Sequence, residues 1–255
     1  MRMDASAFLG RWPFRPIEGT VAGLARMMRA NEISHALVSP FEGLFYADPE
    51  PANEELLSKI AGRKGLWAAP IINLRIAEWR EQMARLVRSR QVRAYRLAPT
   101  FHGYQVTECA EAAREAARLR RALMVQVRLE DERHLSPILE LPPASVKEVV
   151  GIARSVPRAM IVVSAARLPE VLGVAEKVKR LRNLWFDMSH FDGLECMRQA
   201  CKAVGAKRLL FSTSWPFFYA RSAVLKVEEA GLRRSEQQAV WGVNGRRVLE
   251  LGRMG

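Results

Sequence analysis

Cysteine is scarce in this chain, whose 255 residues include three, Cys109, Cys196 and Cys201. All three fall in segments with a helical pattern of apolar residues, and their spacing matches no metal-binding motif. An odd number of thiols also argues against a disulfide framework. We therefore expect reduced cysteines and a cytoplasmic protein.

Long apolar runs are missing as well. No segment approaches the roughly 18 consecutive apolar residues that a membrane-spanning helix needs. The N-terminus has Arg2 and Asp4 but no apolar core or cleavage site, so we expect neither a signal peptide nor a membrane partner. The chain also contains no GxGxxG or Walker motif, which argues against a doubly wound nucleotide-binding sheet, the second choice of fold.

Acidic residues are few relative to basic ones, and the formal net charge is +13. The basic residues comprise 32 arginines and 8 lysines, spread from Arg2 to Arg253 without a long basic run or interleaved aromatic residues. Because a nucleic-acid binder concentrates its charge on one face, we expect no specific nucleic-acid partner. We interpret the charge as lying on the outer faces of helices, where arginine near a C-terminus is favourable.

Apolar, strand-like runs alternate with segments of helical period along the chain. Eight such strand–helix units predict an α/β protein built as a closed parallel (β/α)8 barrel, the TIM barrel. Short and almost continuously apolar strands fit a sheet whose outer face is covered by helices. No linker or low-complexity stretch interrupts the pattern, so we predict one domain over residues 1–255. The predicted strands are Met3–Phe8, Ser34–Ser39, Leu66–Ile72, Val92–Leu97, Leu123–Leu129, Ala159–Ser164, Leu184–Met188 and Arg208–Phe211, and the predicted helices are Val21–Ala30, Ala52–Ala61, Ala77–Ser89, Glu108–Arg120, Ser145–Arg154, Leu168–Val178, Gly193–Ala203, Tyr219–Ala230, Glu236–Trp241 and Asn244–Leu251.

Three segments carry distinctive motifs. The last strand leads into Thr213-Ser214-Trp215-Pro216-Phe217, which is similar to the Thr-Asp-Trp-Pro-Phe found at the same place in the amidohydrolase-2 family. Residues 3–10, Met-Asp-Ala-Ser-Ala-Phe-Leu-Gly, resemble the family's opening Ile-Asp-Ala-His-Val-His-Leu-Gly, and residues 243–249 resemble its closing Gly-Asn-Ala-Arg-Arg-Leu-Leu. The resemblance covers nearly the whole chain and implies a TIM barrel whose site lies at the C-terminal ends of the strands.

The positions at which this family binds its catalytic metal carry other residues here. Ser6 and Phe8 replace two histidines of the first strand, and Ser164 or Ala165 replaces the histidine of the sixth. Ser214 replaces the aspartate that, in the family, binds the metal and takes a proton from the attacking water. Since a divalent metal needs several converging carboxylate or imidazole donors, we expect neither a metal nor another cofactor at the barrel centre. The chain is thus similar to a divergent subset of the family without the metal ligands.

Two charged residues are assigned roles by this comparison. Asp4 precedes the first pair of lost ligands, and we expect it to be structural, bonded to an arginine or to backbone donors. Arg128 stands where the fifth strand of the family has a metal-binding histidine, and its guanidinium offers five permanently charged N–H donors. We predict that Arg128 fills the vacated metal site, pairs with a neighbouring acid such as Asp187 or Asp4, and leaves donors for an anionic ligand.

Loops that follow predicted strands carry further candidates. After the first strand, Arg11, Trp12 and Arg15 could bind an anion or a ring through guanidinium forks and stacking. The alternative is that Trp12 is a hydrophobic plug. After the fourth strand, His102 and Tyr104 could move a proton or orient a substrate, whereas the alternative is a packed loop histidine.

The densest run of ionisable residues extends from Arg128 to His134, after the fifth strand. Asp131 is a candidate general base there, and Glu130 and Arg133 are candidate binding residues. A solvated run of salt bridges explains the same pattern, and a metal bound by Glu130, Asp131 and His134 stays a weaker hypothesis.

The last two strands are followed by a polar pair and an aromatic wall. Asp187 and His190, after the seventh strand, could orient an imidazole for acid–base work or pair structurally. After the eighth strand, Trp215 begins the wall, with Ser214 at its base.

The leading hypothesis is a metal-independent pocket at the barrel mouth that binds a small anionic molecule, a carboxylate in particular. If the protein is catalytic, hydrolase or decarboxylase-type lyase chemistry is expected. The alternatives are a non-catalytic pseudoenzyme that binds a ligand or a protein, and a basic binder of nucleic acids or anionic surfaces; a homo-oligomer stays open. The candidate catalytic residues are His102, Asp131, Asp187 and His190, and the candidate binding residues are Arg11, Trp12, Arg15, Tyr104, Arg128, Glu130, Arg133, Ser214 and Trp215.

Overall fold

The computed structural model of the protein describes residues 1–131 and 141–250. A strand lies in each of the predicted apolar runs, although several bounds differ, and the strand over residues 17–19 was not predicted. The predicted third strand is split in two, because Pro70 has no backbone N–H to donate to a neighbouring strand. The strands are β1 (Arg2–Trp12), β2 (Ile17–Gly19), β3 (Ile33–Pro40), β4 (Leu66–Ala68), β5 (Ile71–Ile72), β6 (Ala94–Leu97), β7 (Ala122–Gln126), β8 (Ile161–Ser164), β9 (Leu184–Asp187) and β10 (Leu209–Leu210).

Parallel pairing closes these strands into a barrel. The neighbours run β1-β3-β4 in one sheet and β5-β6-β7-β8-β9-β10 in the other, and β2 forms an antiparallel hairpin with β1. The edges of the two sheets meet at two places. Next to β4, the N–H of Arg93 donates to the carbonyl of Ala68 at 3.0 Å. Between β1 and the segment after β10, the N–H of Phe8 donates to the carbonyl of Trp215 at 2.8 Å. The predicted (β/α)8 barrel is confirmed.

Helices cover the outside of the barrel. The predicted helix over 168–178 is instead two short helices, divided at Gly173 and Val174. At the C-terminus, a π-helical turn over residues 239–243 joins two short helices. The helices are α1 (Val21–Ala30), α2 (Glu50–Ile60), α3 (Trp79–Leu86), α4 (Pro99–His102), α5 (Cys109–Arg118), α6 (Val146–Ser155), α7 (Leu168–Leu172), α8 (Ala175–Lys179), α9 (Cys196–Val204), α10 (Ala220–Glu228), α11 (Arg234–Gln238) and α12 (Asn244–Glu250).

Helix α1 shows how the sequence specifies these elements. The hydroxyl of Thr20 accepts the N–H of Gly23 at 3.0 Å and so caps one of the free amides of the first turn. Leu24, Met27 and Met28 lie three and four residues apart, on the single face that packs against the barrel. Among the described residues, no helix is both long and apolar enough to cross a membrane.

The apolar core is divided by the barrel wall. Successive residues of a strand point to opposite faces, so Leu209 joins the layer between strands and helices while Leu210 joins the layer inside the barrel. Val248 and Leu249 of α12 close the bottom of the inner layer, as the C-terminal segment predicts. The C-terminal end of the barrel is therefore the face left for a site.

Candidate functional site

Above the inner apolar layer, the strands carry a layer of buried polar side chains. All but Ser6 lie two residues after an inward apolar residue, as the strand period requires, and Ser6 directly follows inward Ala5 at an irregularity of β1. Every side chain of this layer is at most about one per cent exposed, so water does not solvate it. The layer consists of Ser6, Ser39, Arg96, Gln126, Ser164, Asp187 and Ser212.

Arg96 of β6 lies at the centre of this layer. Its Nε donates to the hydroxyl of Ser39 at 2.8 Å, and its Nη2 donates to the hydroxyl of Ser6 at 3.1 Å. Its Nη1 donates to Oε1 of Gln126 and to the hydroxyl of Ser164, the latter at 3.2 Å. One guanidinium thus joins the C-terminal ends of five strands.

The charge of Arg96 is balanced inside the barrel. Burial lowers the pKa of Arg96 to about 10, and the carboxylates of Asp187 and Asp4 oppose that effect. The guanidinium carbon also lies 4.7 Å from the centre of the Phe8 ring, a cation–π distance. Arg96 is therefore a cation at neutral pH, and its burial depends on these partners because an unpaired buried charge is costly.

The residues at the barrel centre do not fit a divalent metal. Ser6 and Phe8, which stand where the family has histidines, both contact the guanidinium of Arg96. A second cation in this space would be repelled by the first. In residues 1–131 and 141–250, no three histidine, cysteine, aspartate or glutamate side chains come together in a way that could hold a metal ion. No chemical step through a metal follows from this arrangement.

Arg128 pairs with Glu170 and not with Asp187 or Asp4, so its predicted partner is wrong, whereas its predicted part in ligand binding stays a prediction. Its Nη1 and Nη2 bind the two carboxylate oxygens of Glu170 at 2.7 and 2.6 Å, and Nη1 also binds the carbonyl of Ala165 at 2.8 Å. The reason is register, since β7 ends at Gln126, which lies opposite Ser164 of β8. Arg128 lies one inward position beyond, and it reaches α7 instead of Asp187 or Asp4.

Asp4 has the structural role that we expected. Its carboxylate accepts the N–H of Ser6 at 3.1 Å, the N–H of Thr213 at 3.0 Å and the hydroxyl of Thr213 at 2.5 Å. These bonds tie the first strand to the end of the last one. Burial raises the pKa of Asp4 to about 7, although the hydrogen bonds from Thr213 and Ser6 oppose the shift.

We expect Asp4→Asn to remove a pH dependence of stability. The pKa of Asp4 is about 7 in the folded chain, against an ordinary value of 3.8. Between these values the folded state holds a proton that the unfolded chain has released, so the free energy of unfolding falls as pH rises from about 4 to about 7. The fall is at most about 4 kcal/mol, and the contribution of Asp4 no longer changes with pH well above pH 7.

Urea unfolding at pH 4.5, 6 and 8 measures this effect. The free-energy difference between wild type and Asp4→Asn should change between pH 4.5 and about 7, and most of that change should be complete at pH 8. Glu229→Gln, at an exposed carboxylate, is the control and should keep the wild-type slope. An Asp4→Asn profile parallel to that of the wild type would contradict the assignment.

Asp187 and His190 do not pair directly. The hydroxyl of Ser189 lies between them, donating to Oδ1 of Asp187 at 2.6 Å and lying 3.0 Å from Nδ1 of His190. His190 is 4% exposed, and burial lowers its pKa to about 4. The imidazole is therefore neutral at physiological pH. Its Nε2 has no hydrogen-bond partner in the described part of the chain.

The loop after β1 places its three candidates in different environments. Trp12 is buried, with its ring centre 5.0 Å from that of Phe217 and 5.6 Å from that of Phe41. These rings belong to an aromatic plug across the barrel mouth. This placement agrees with the alternative interpretation of Trp12, in which it is a hydrophobic plug. Arg11 is exposed, and Nη2 of Arg15 donates to buried Glu130 at 2.5 Å. The plug consists of Phe8, Trp12, Phe14, Phe41, Phe101 and Phe217.

His102 and Tyr104 lie on the α4 side of the mouth. Nε2 of His102 lies 3.1 Å from the carbonyl of Gly43, so it must be the protonated nitrogen. Burial lowers the pKa of His102 and raises that of Tyr104 well above its usual value. Both groups are neutral at pH 7, and the guanidinium of Arg75 lies 5.9 Å from the Tyr104 ring.

A cavity of about 870 Å³ opens beside the plug. Three of the predicted residues, Arg15, Asp131 and Trp215, line it together, although they come from the loops after β1, β7 and β10. Ser189, after β9, joins them and had not been predicted. Its other described lining residues include the aromatic Phe217, Phe218 and Tyr219 and the charged Asp192, Arg221 and Lys226.

Several other candidates are not among the described lining residues of this cavity. Arg128, Glu130 and Trp12 line a separate small space of about 20 Å³. Ser214 is buried with a backbone φ of +48°, and its hydroxyl has no partner within residues 1–131 and 141–250. Arg133 and His134 lie outside the described residues. The predicted binding role of Arg133 and the metal hypothesis that involves His134 therefore stay untested.

Arg96 and Ser189 are the site residues that sequence reasoning missed. A signal for Arg96 was present, since it is a charged residue at an inward position of an otherwise apolar strand, Ala94-Tyr95-Arg96-Leu97. Such a residue must find counter-charges inside the barrel. Ser189 had no comparable signal, because a serine after a strand is common and its contacts depend on other loops.

No protein-family model and no curated protein matches the chain. Solved structures share its fold. A 2,6-dihydroxybenzoate decarboxylase from Rhizobium is 15% identical with a TM-score of 0.74, and the match covers 98% of each chain. A 5-carboxyvanillate decarboxylase from Sphingomonas paucimobilis is 13% identical with a TM-score of 0.76, again over 98% of each chain.

An amidohydrolase from Burkholderia multivorans with bound zinc also has this fold. It is 17% identical with a TM-score of 0.70, and the match covers 98% of this chain and 99% of the other. The resemblance to amidohydrolases that the motifs imply is therefore confirmed for the fold, which is an amidohydrolase-type TIM barrel.

Proposed function

We propose that the protein binds a small organic carboxylate, without a metal, in the cavity beside the plug. The observation that carries the proposal is the make-up of that cavity. Cationic Arg15 and Lys226 face it together with the rings of Trp215 and Phe218. Guanidinium and ammonium groups complement a carboxylate, and aromatic walls complement a flat apolar body.

Arg15 is the best placed anchor for the carboxylate. Its side chain is 33% exposed, and its described bond uses Nη2, which donates to Glu130. Its Nε is buried and lacks a hydrogen-bond partner among the described residues. A guanidinium has five N–H donors and can bind a carboxylate through two of them at once. Lys226, whose described partner Asp192 lies 3.5 Å away, adds a second positive charge.

An aromatic carboxylate suits this site best. The walls contributed by Trp215, Phe217 and Phe218 are planar and apolar, and a benzoate ring would stack on them at little conformational cost. The names of two similarly folded proteins, a 2,6-dihydroxybenzoate decarboxylase and a 5-carboxyvanillate decarboxylase, refer to aromatic carboxylates. If the ligand is turned over, loss of carbon dioxide or hydrolysis is the proposed chemistry, with Asp131 on the wall as the acid–base group.

The second candidate is binding without turnover. It is favoured by the aromatic plug, which separates the barrel centre from solvent. Phe8 stacks on Phe41 with ring centres 5.0 Å apart, directly above Arg96. A ligand in the cavity would therefore not reach the layer in which related barrels have their metal ligands.

Calorimetric titration tests the proposal. After dialysis against EDTA, benzoate and 2,6-dihydroxybenzoate should bind, whereas uncharged methyl benzoate should not. Arg15→Gln should weaken binding by roughly tenfold or more, because a hydrogen bond to a charged group is lost. Arg11→Gln is the matched control, since Arg11 is an exposed arginine of the same loop.

Equal losses in the two variants, or binding that needs added zinc or manganese, would overturn the proposal. A carbon dioxide assay and chromatography of the incubated protein–ligand mixture then show whether the protein is an enzyme or only binds the ligand. Turnover that survives EDTA supports the first candidate, and unchanged ligand supports the second.

A further inference from the structure

An unbroken series of hydrogen bonds runs from Arg96 to His190. Nη1 of Arg96 donates to the hydroxyl of Ser164 at 3.2 Å, and that hydroxyl donates to Oδ2 of Asp187. Oδ1 of Asp187 accepts the hydroxyl of Ser189 at 2.6 Å and its backbone N–H at 3.1 Å. The Ser189 oxygen lies 3.0 Å from Nδ1 of His190.

The chemistry of each group fixes the direction of every bond. A guanidinium can only donate, so the Ser164 oxygen accepts from Arg96 and its one hydrogen goes to Asp187. The one hydroxyl hydrogen of Ser189 is used in the same way. Its oxygen can then only accept from His190, which places the hydrogen of the neutral imidazole on Nδ1 and leaves the lone pair on Nε2.

The free nitrogen lies behind the cavity wall. His190 is 4% exposed, and its Nε2 has no partner among residues 1–131 and 141–250. The ring packs edge-on against Phe218, with ring centres 5.0 Å apart. Both Phe218 and the adjacent Ser189 line the cavity. An unsatisfied buried acceptor is costly, and a hydrogen-bond donor on a ligand would remove that cost.

We propose that Arg96 is a positioning residue, which acts through Ser164, Asp187 and Ser189 to hold His190 with Nε2 as the acceptor for a hydroxyl of the bound carboxylate. The guanidinium directs the Ser164 hydroxyl to Oδ2 of Asp187, and the other oxygen of that carboxylate accepts the hydroxyl and the backbone N–H of Ser189. The choice of a hydroxylated carboxylate rests on the proposed function, whereas the state of His190 in the free protein does not.

Nitrogen NMR of histidine-labelled full-length protein at pH 7 tests this arrangement, with His190→Gln to assign the signal. In the free wild type, Nδ1 of His190 should carry the hydrogen and Nε2 should not. Ser189→Ala removes the acceptor for Nδ1, and Ser164→Ala removes the link to Arg96. Each should shift the ratio of the two tautomers toward Nε2–H by roughly fivefold, the equivalent of one hydrogen bond.

Ser34→Ala is the matched control. The Ser34 hydroxyl donates to the carbonyl of Arg2 at 2.9 Å and lies 3.0 Å from Nδ1 of His35, the same local geometry without the link to Arg96. This variant should change the His35 signals alone. An Nε2–H tautomer or a charged His190 in the free wild type overturns the inference, as does a tautomer ratio unchanged in both Ser189→Ala and Ser164→Ala.

Titration with two probes tests the ligand step. 2,6-Dihydroxybenzoate should shift the Nε2 resonance of His190, and benzoate, which lacks hydroxyls, should not. Binding of both probes with an unchanged Nε2 resonance overturns the acceptor role while leaving the proposed function intact. If neither probe binds, the proposed function is overturned. The tautomer of His190 in the free protein then still decides the role of Arg96.

Discussion

Arg96→Met is expected to destabilise the protein by about 3–5 kcal/mol, the loss typical of a broken buried charge pair. Methionine approximates the length of the side chain but has no charge. The substitution would leave the buried carboxylates of Asp187 and Asp4 without their counter-charge. It would also leave the hydroxyls of Ser6 and Ser39 without their donor. Urea unfolding at pH 7, followed by circular dichroism, measures the loss.

Arg154→Met is the control for this experiment. Arg154 lies near the C-terminal end of α6 and is exposed, so its replacement should change the free energy of unfolding by about 0.5 kcal/mol or less. A loss in Arg96→Met no larger than that of the control would mean that Arg96 does not organise the barrel centre. A zinc- or manganese-dependent recovery of stability in Arg96→Met would instead show that the site still accepts a metal.

Trp12→Ala is expected to cost about 3–5 kcal/mol, as for other large-to-small changes of buried aromatic residues. Trp12 is 1% exposed and contacts the rings of Phe14, Phe41, Phe45 and Phe217. Its removal would leave a cavity in the plug and lose these ring contacts. Trp12→Phe should cost less than Trp12→Ala, since it keeps an aromatic ring at this position.

The same variants separate the two interpretations of Trp12. Tyr219→Ala is the control, because Tyr219 also lies at the mouth but is 88% exposed, and its loss should be about 0.5 kcal/mol or less. If Trp12→Ala kept wild-type stability but abolished carboxylate binding, Trp12 would be a ligand-stacking residue and the plug assignment would be wrong.

The plug and Arg96 together explain why the proposed site lies to one side of the barrel. In this fold, sites lie at the C-terminal ends of the strands, and that face is closed here over β1 and β3 by the stacked rings of Phe8 and Phe41. The cavity opens instead near the ends of β9 and β10, where Ser189 and Trp215 line it. An arginine and aromatic side chains fill the barrel centre, and the proposed pocket lies beside them.

The register of β7 shows where prediction from the sequence failed. The apolar run predicted a strand ending at Leu129, whereas β7 ends at Gln126. With that boundary, Arg128 was assigned to the centre that Arg96 occupies. Period-two alternation identifies which residues share a face, but it does not tell how far each strand rises relative to its neighbours. That offset depends on the hydrogen bonds between β6, β7 and β8.

The sequence by itself determined the fold, because eight apolar strand runs and the amphipathic segments between them bury their apolar faces together in a closed parallel barrel covered by helices. It also determined that the usual metal ligands are replaced, since Ser6, Phe8 and Ser214 are visible in the chain. The tertiary structure alone decided what fills the barrel centre. Arg96 meets its partners across as many as 90 residues of chain, and such contacts arise only when the barrel closes and brings separate strand ends into one buried layer.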